Sequence, residues 1–159
     1  MIKLKKKRIY HVIGIIIFLA VMVMINMNYR ISIIRGNSMY PTVKDNEKVL
    51  IQKNKTPQRY DMIAFKQEEK LLIKRIIGLP GDSFTRNGDR IWIESSDSTF
   101  DFLFVITLSE EFAETLPLSG TIPENHYFVV GDALTNSRDS RTFGYIISED
   151  LLGVVLNIF

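Results

Sequence analysis

From Ile9 to Met27 the chain reads IYHVIGIIIFLAVMVMINM, about nineteen residues with no formal charge, directly after five cations at Lys3, Lys5, Lys6, Lys7 and Arg8. A helix needs about 17 to 25 such residues to cross a bilayer. A run that is apolar on all sides and flanked by basic residues is the pattern of a spanning helix whose charged end stays in the cytoplasm. A buried core helix is the soluble alternative. A cleaved leader is the other, and it calls for small residues just beyond the apolar run, where INMNYRISII stands instead. The expected organisation is a basic cytoplasmic tail at residues 1–8, a transmembrane helix at 9–28 and an extracytoplasmic domain at 29–159, held at the cell membrane by a single pass.

The tail also accounts for the charge balance. It holds five of the 20 basic residues, so the rest of the chain, with 18 acidic residues, is slightly acidic. Nucleic-acid binding requires cations gathered on a folded face, and here they gather in a tail, so nucleic acid is not an expected partner. With 159 residues, 46% of them apolar and 24% charged, the chain is long enough for one packed domain beyond the anchor. It has no cysteine, which excludes disulfides and thiolate chemistry. With only two histidines, His11 and His126, neither a metal nor any other cofactor is expected.

After the anchor, short runs rich in Ile, Val and Phe alternate with turn signals: KVLIQ, DMIAF, LLIKRII, RIWIE, FDFLFVI, HYFVVG and LLGVVLNIF. Pro80-Gly81-Asp82, Asn87-Gly88-Asp89 and Ser119-Gly120 read as tight turns, and Glu94 to Ser98 as an exposed loop tip. One short helix is expected over SEEFAETL, capped by Ser109. The fold class is therefore mainly β, an antiparallel sheet domain behind one N-terminal transmembrane helix.

Three segments carry side chains suited to chemistry. In GNSMYPT, Gly36 to Thr42, a serine stands between a glycine-containing turn and a proline, about ten residues beyond the membrane. Ser38 is a candidate nucleophile, or a turn serine that bonds its own backbone. In LLIKRIIGLPGD, Leu71 to Asp82, strand parity puts Lys74 on one face with Leu72 and Ile76, and Arg75 on the other with Ile73 and Ile77. Burial lowers a lysine's pKa and supplies a neutral amine as a general base, whereas arginine stays charged and needs an acidic partner. An inward lysine that guards a sheet edge is the structural alternative. The third segment, GDALTNSRDSRTFG from Gly131 to Gly144, is a polar loop able to close on itself through carboxylate–guanidinium pairs, or simply to lie in solvent. His11 lies in the anchor and His126 in the turn PENHYF, so a Ser-His-Asp triad is not easily built. Lysine remains as the activator, a known variant of the same nucleophile logic.

Taken in order behind one spanning helix, GNSMYPT, KRIIGLPGD and the SRDSRTFG block resemble the bacterial type I signal peptidases, with RYDMIAF and PENHYFVVGD similar to the family's intervening strands. The resemblance implies a signal-peptidase-like catalytic domain and a serine endopeptidase that removes signal peptides from exported preproteins after small residues at the minus-one and minus-three positions. It implies Ser38 as nucleophile and Lys74 as general base, with Ser137 bonded to Lys74 and orienting it. It further implies Arg75–Asp132 and Asp139–Arg141 ion pairs, the Ser38 N–H in the oxyanion hole and Met39 lining the substrate cleft. Exported preproteins and membrane lipid are the partners expected. Two positions depart from the family pattern: Ala133-Leu134 replaces a polar pair, and Gly36 stands where some members carry a serine that assists the oxyanion hole. A dedicated processor of pilin or conjugation substrates, and a catalytically silent surface-assembly scaffold, are the other readings.

Overall fold

The computed structural model describes residues 2–67, 70–96 and 103–159. Helix α1 (Ile2–Asn28) runs without interruption through the cationic stretch and the apolar run, so no change of secondary structure separates residues 2–8 from 9–28. Tyr10–Asn28 is long and apolar enough to cross a membrane, and none of that stretch is buried against the rest of the molecule.

The remainder is β-rich. Strands β1 (Tyr29–Ile33), β2 (Lys48–Gln52), β3 (Met62–Gln67), β4 (Lys70–Gly78), β9 (His126–Val130), β10 (Ile146–Ile147) and β11 (Leu151–Ile158) form a seven-stranded sheet in the order β1-β2-β11-β3-β4-β9-β10. Strands β5 (Ser83–Asn87), β6 (Arg90–Glu94), β7 (Leu103–Thr107) and β8 (Ser119–Thr121) form a second sheet in the order β7-β6-β5-β8. Every pairing is antiparallel.

Period-two alternation sends side chains to both faces of the large sheet. One face packs Val49, Ile51, Ala64, Ile73 and Val155, and the other Ile63, Phe65, Ile76, Val129 and Val154. Each buried Val, Ile or Phe among them contributes about 1.5–3 kcal/mol. The small sheet has a core of its own around Phe84, Ile91, Ile93 and Phe128. Asp82, fully buried in the Pro80-Gly81-Asp82 turn, joins the two sheets. It bonds Arg59 Nη2 at 2.7 Å and accepts from the Leu79 and Ser96 amides at 2.7 and 3.0 Å. Burial alone would raise its pKa, but Arg59 and the two amides outweigh it and hold the carboxyl below its usual range.

Several expectations match the structure. The short helix is α2 (Glu110–Thr115), with Ser109 Oγ accepting from the Phe112 amide, and Asn87-Gly88-Asp89 joins β5 to β6, with Gly88 at φ +62. Ser119-Gly120 is not a turn but part of β8. Gly120 lies flat against the Phe84 ring, where an added Cβ would stand 3.1 Å from Cζ, so the glycine serves close packing. Strands β1, β5 and β10 also went unforeseen. Asp97 and Ser98 of the expected loop tip, and Phe100 to Phe102 of the expected strand, lie outside the described residues. His126 opens β9 and stacks edge-on with Tyr145, a structural position.

Candidate active site

Strand β4 pairs with β3 from Lys70 to Arg75 but with β9 only from Arg75 onward. Its first half would be a free edge if two loops did not close over it. One is the β1–β2 connection with Ser38; the other is the Gly131–Asp139 loop leading to the single-turn helix α3 (Ser140–Phe143).

Lys74 sits where that edge is covered. It is 1% exposed, and its Nζ donates to Ser38 Oγ at 2.6 Å and to the Ile73 carbonyl at 3.0 Å. Desolvation lowers its pKa from 10.5 to about 8, against the pull of the Asp139 and Asp132 carboxylates, which favour the cation. At pH 7 about a tenth of this amine is therefore uncharged. In that form the hydrogen bond reverses, with the Ser38 hydroxyl donating to Nζ.

The loop holding Ser38 is short and cross-braced. Gly36 turns it at φ +93, a conformation natural only to glycine, and donates its N–H to Asp45 Oδ1 at 2.7 Å. Tyr40 N–H donates to Asn37 O and Val43 N–H to Met39 O, forming a helical turn around Ser38. Among the described residues no acceptor takes the Ser38 N–H, which leaves it available to an oxyanion. The structure places Met39 differently from expectation. It is 1% exposed and packed with the core on one sheet face, because the turn that aims Ser38 outward aims its neighbour inward. Met39 anchors the loop from below and is not on the cleft wall.

The second loop meets the first through its backbone. Ala133 N–H donates to Ser38 O at 3.1 Å, which its own side chain has no part in. Gly131 packs so closely here that an added Cβ would stand 2.5 Å from Ser38 O and 2.1 Å from Ser137 Oγ. Two ion pairs hold this loop. Arg75 binds Asp132 bidentately at 2.8 and 2.6 Å, and Arg141 binds Asp139 at 2.7 and 2.8 Å, with Gly131 N–H also donating to Asp139 at 2.8 Å. Burial would raise both carboxyl pKa values; the paired guanidiniums outweigh it and hold both below the usual range. Thus Lys74, though desolvated, has two ionised carboxylates nearby.

Ser137 is brought to this site but not bonded to Lys74. Its hydroxyl is buried over Gly131 and close enough to Asp139 to favour the ionised carboxylate, yet among the described residues no hydrogen bond of ordinary geometry reaches it. Two supporting residues escaped the sequence reading. Thr42 Oγ1 donates to Asp132 Oδ2, and Ser140 Oγ accepts from the Val129 amide. Thr42 and Asp132 are 90 positions apart, so no local pattern links them. A cleft of about 370 Å³ opens beside Ser38 and Lys74, with Leu72, Gln67, Asn136 and Arg35 in its wall.

The chain matches the family described as signal peptidase, peptidase S26, over residues 6–159. Signal peptidase I V of Bacillus subtilis is 32% identical, with 94% of this chain and 97% of that protein covered. Signal peptidase I U of the same organism is 33% identical, with 99% and 92% covered. A solved signal peptidase I from Enterococcus faecalis is 32% identical and covers 64% of this chain and 98% of its own, at a TM-score of 0.45. A match over nearly the whole chain, together with two full-length relatives at about a third identity, places it: the chain belongs to the signal peptidase, peptidase S26 family.

Proposed function

We propose that the chain is a membrane-bound serine endopeptidase that removes N-terminal signal peptides from exported preproteins, with Ser38 as nucleophile and Lys74 as general base. The observation that carries the residue assignment is the 2.6 Å bond between Ser38 Oγ and an almost wholly buried lysine. The neutral amine takes the hydroxyl proton as Oγ attacks the scissile carbonyl. The Ser38 N–H stabilises the resulting oxyanion, and the lysine passes the proton to the leaving amine. Water activated by the same amine then hydrolyses the ester. Arg75–Asp132 and Asp139–Arg141 brace the loops that hold the pair together. Ser137, unbonded at rest, is assigned to orient Lys74 once acylation removes Ser38 Oγ as its partner. Small residues at the minus-one and minus-three positions of the substrate fit this reading.

The organisation proposed is a cytoplasmic tail at 1–8, a spanning helix at 9–28 and an extracytoplasmic catalytic domain at 29–159, an orientation supported by the basic residues at the start. Lipid is a partner of the domain as well as of the anchor. Ile31 and Ile33 on β1, the strand that follows the helix directly, are 64% and 54% exposed. The test is cleavage of a preprotein by the full chain in vesicles. Ser38→Ala and Lys74→Ala are each expected to abolish it, and full activity in either variant removes the assignment. A panel of unrelated preproteins separates a general peptidase from a dedicated one.

A further inference from the structure

Away from Ser38 the wall of the cleft is cationic. Arg35, Lys70 and Arg138 all line it, and among the described residues no carboxylate does, although the domain as a whole is slightly acidic. Arg35 and Lys70 are exposed, and among the described residues their side chains make no hydrogen bond or ion pair. A concave wall of one sign concentrates the field within it and favours an occupant of the opposite sign.

Strand β4 fixes how far these cations stand from the reacting bond. Lys70, Leu72 and Lys74 alternate onto one face and are exposed, half-buried and buried in turn. Lys70 lies four strand positions from Lys74, about 13 Å at roughly 3.3 Å per residue. Since β9 pairs with β4 only from Arg75 onward, the cleft runs from Lys74 back toward Lys70. Gln67 stands opposite Lys70 on β3, and its Oε1 is buried without a partner among the described residues. An N–H of an extended chain lying in the cleft would satisfy that acceptor. Arg35 reaches the same cleft from the loop that carries Ser38.

We propose that this cationic wall selects substrates that carry an acidic side chain at the minus-four to minus-six positions. The inference rests on the signal-peptidase reading above. In that reading the cleft takes the acyl side of the bond, where the minus-one and minus-three residues are small. A chain extended from a scissile carbonyl beside Lys74 reaches Lys70 after about four residues, which is the minus-five position. A carboxylate there meets two cations, a neutral side chain gains nothing from them, and a lysine is repelled.

The test uses the full chain in phosphatidylcholine vesicles and a preprotein carrying Asp, Asn or Lys in turn at minus-four, minus-five and minus-six. The readout is the ratio of kcat/KM for Asp over Asn. Wild type is expected to give about threefold to tenfold at one or more of these positions, as for partly exposed charge pairs, with Lys cut more slowly than Asn. Raising the salt from about 20 to about 500 mM is expected to bring the ratio toward one. In Arg35→Gln/Lys70→Gln the ratio is expected to fall below about twofold, and in Arg35→Glu/Lys70→Glu to invert, with Lys cut faster than Asp. A wild-type ratio near one at all three positions, or one indifferent to salt, overturns the proposal whatever the variants do. A ratio kept in both variants also overturns it. So does a ratio that emerges only in anionic phosphatidylglycerol vesicles, which would give the cations to lipid headgroups. Wild type that cuts none of the preproteins overturns the peptidase reading instead.

Discussion

If Lys74 is the general base, its lowered pKa favours activity near neutral pH and costs stability there. With its pKa near 8, about 9% of the amine is neutral at pH 7 and about 1% at pH 6. If Lys74 is the base, kcat/KM for a soluble peptide should fall about tenfold per pH unit below 7 and level off above 9. An ordinary lysine at 10.5 would leave only about 0.03% neutral at pH 7, and activity would still be climbing steeply at pH 9. The assay is a kcat/KM profile on detergent-solubilised enzyme from pH 5.5 to 10. A midpoint near 10, or a flat acid limb, refutes the reasoning.

The same shift costs stability. The native pKa lies below the unfolded one, so the unfolded chain binds the proton more tightly and stability rises with pH between about 8 and 10.5. Below 8 the full penalty stands, about 3 kcal/mol at 1.36 kcal/mol per unit. Lys74→Met removes it at the loss of roughly 1 kcal/mol for the Ser38 hydrogen bond. The inactive variant should thus be about 1–2 kcal/mol more stable at pH 7, read as a Tm several degrees higher. That gain should vanish near pH 10.5; a gain that grows with pH contradicts the sign.

Thr42→Val deletes the hydroxyl that donates to Asp132 while leaving the Arg75–Asp132 pair. The expected outcome is about a tenfold fall in kcat with KM within twofold, restored by Thr42→Ser, as for a group that positions the nucleophile loop. Gly131→Ala drives a methyl to 2.1 Å from Ser137 Oγ and 2.5 Å from the Ser38 carbonyl. It should lower kcat/KM by about a hundredfold or more by displacing that loop. Arg141→Ala leaves the fully buried Asp139 carboxylate without its cation. Thermal unfolding should register about 3–5 kcal/mol of destabilisation.

What the sequence disclosed follows from where local rules apply. Strand parity only set Lys74 and Arg75 on opposite faces, and it was the ability of lysine, not arginine, to lose its proton that singled out Lys74; both faces of β4 are buried at Ile73 and Lys74. Alternation failed for β5, SFTRN, where Phe84 is the single fully buried side chain in five, so the strand had no apolar period to detect. Met39 escaped for a related reason: a four-residue turn has no period, and only the assembled core decides which side chain faces inward. The supporting contacts were illegible in principle. Ser38 meets Lys74, and Thr42 meets Asp132, only because β11, from the end of the chain, inserts between β2 and β3 and sets where β4 and β9 fall relative to the Ser38 loop. The resemblance supplied the Arg75–Asp132 and Asp139–Arg141 partners, and the geometry adds their electrostatic consequence. Each carboxylate is ionised because its own arginine satisfies it, and both still raise the affinity of Lys74 for a proton. Burial must therefore outweigh them for the amine to act near neutral pH. A substitution that wets the lysine without touching any polar residue, such as Leu72→Ser in the cleft wall, should move the acid limb of the profile toward higher pH.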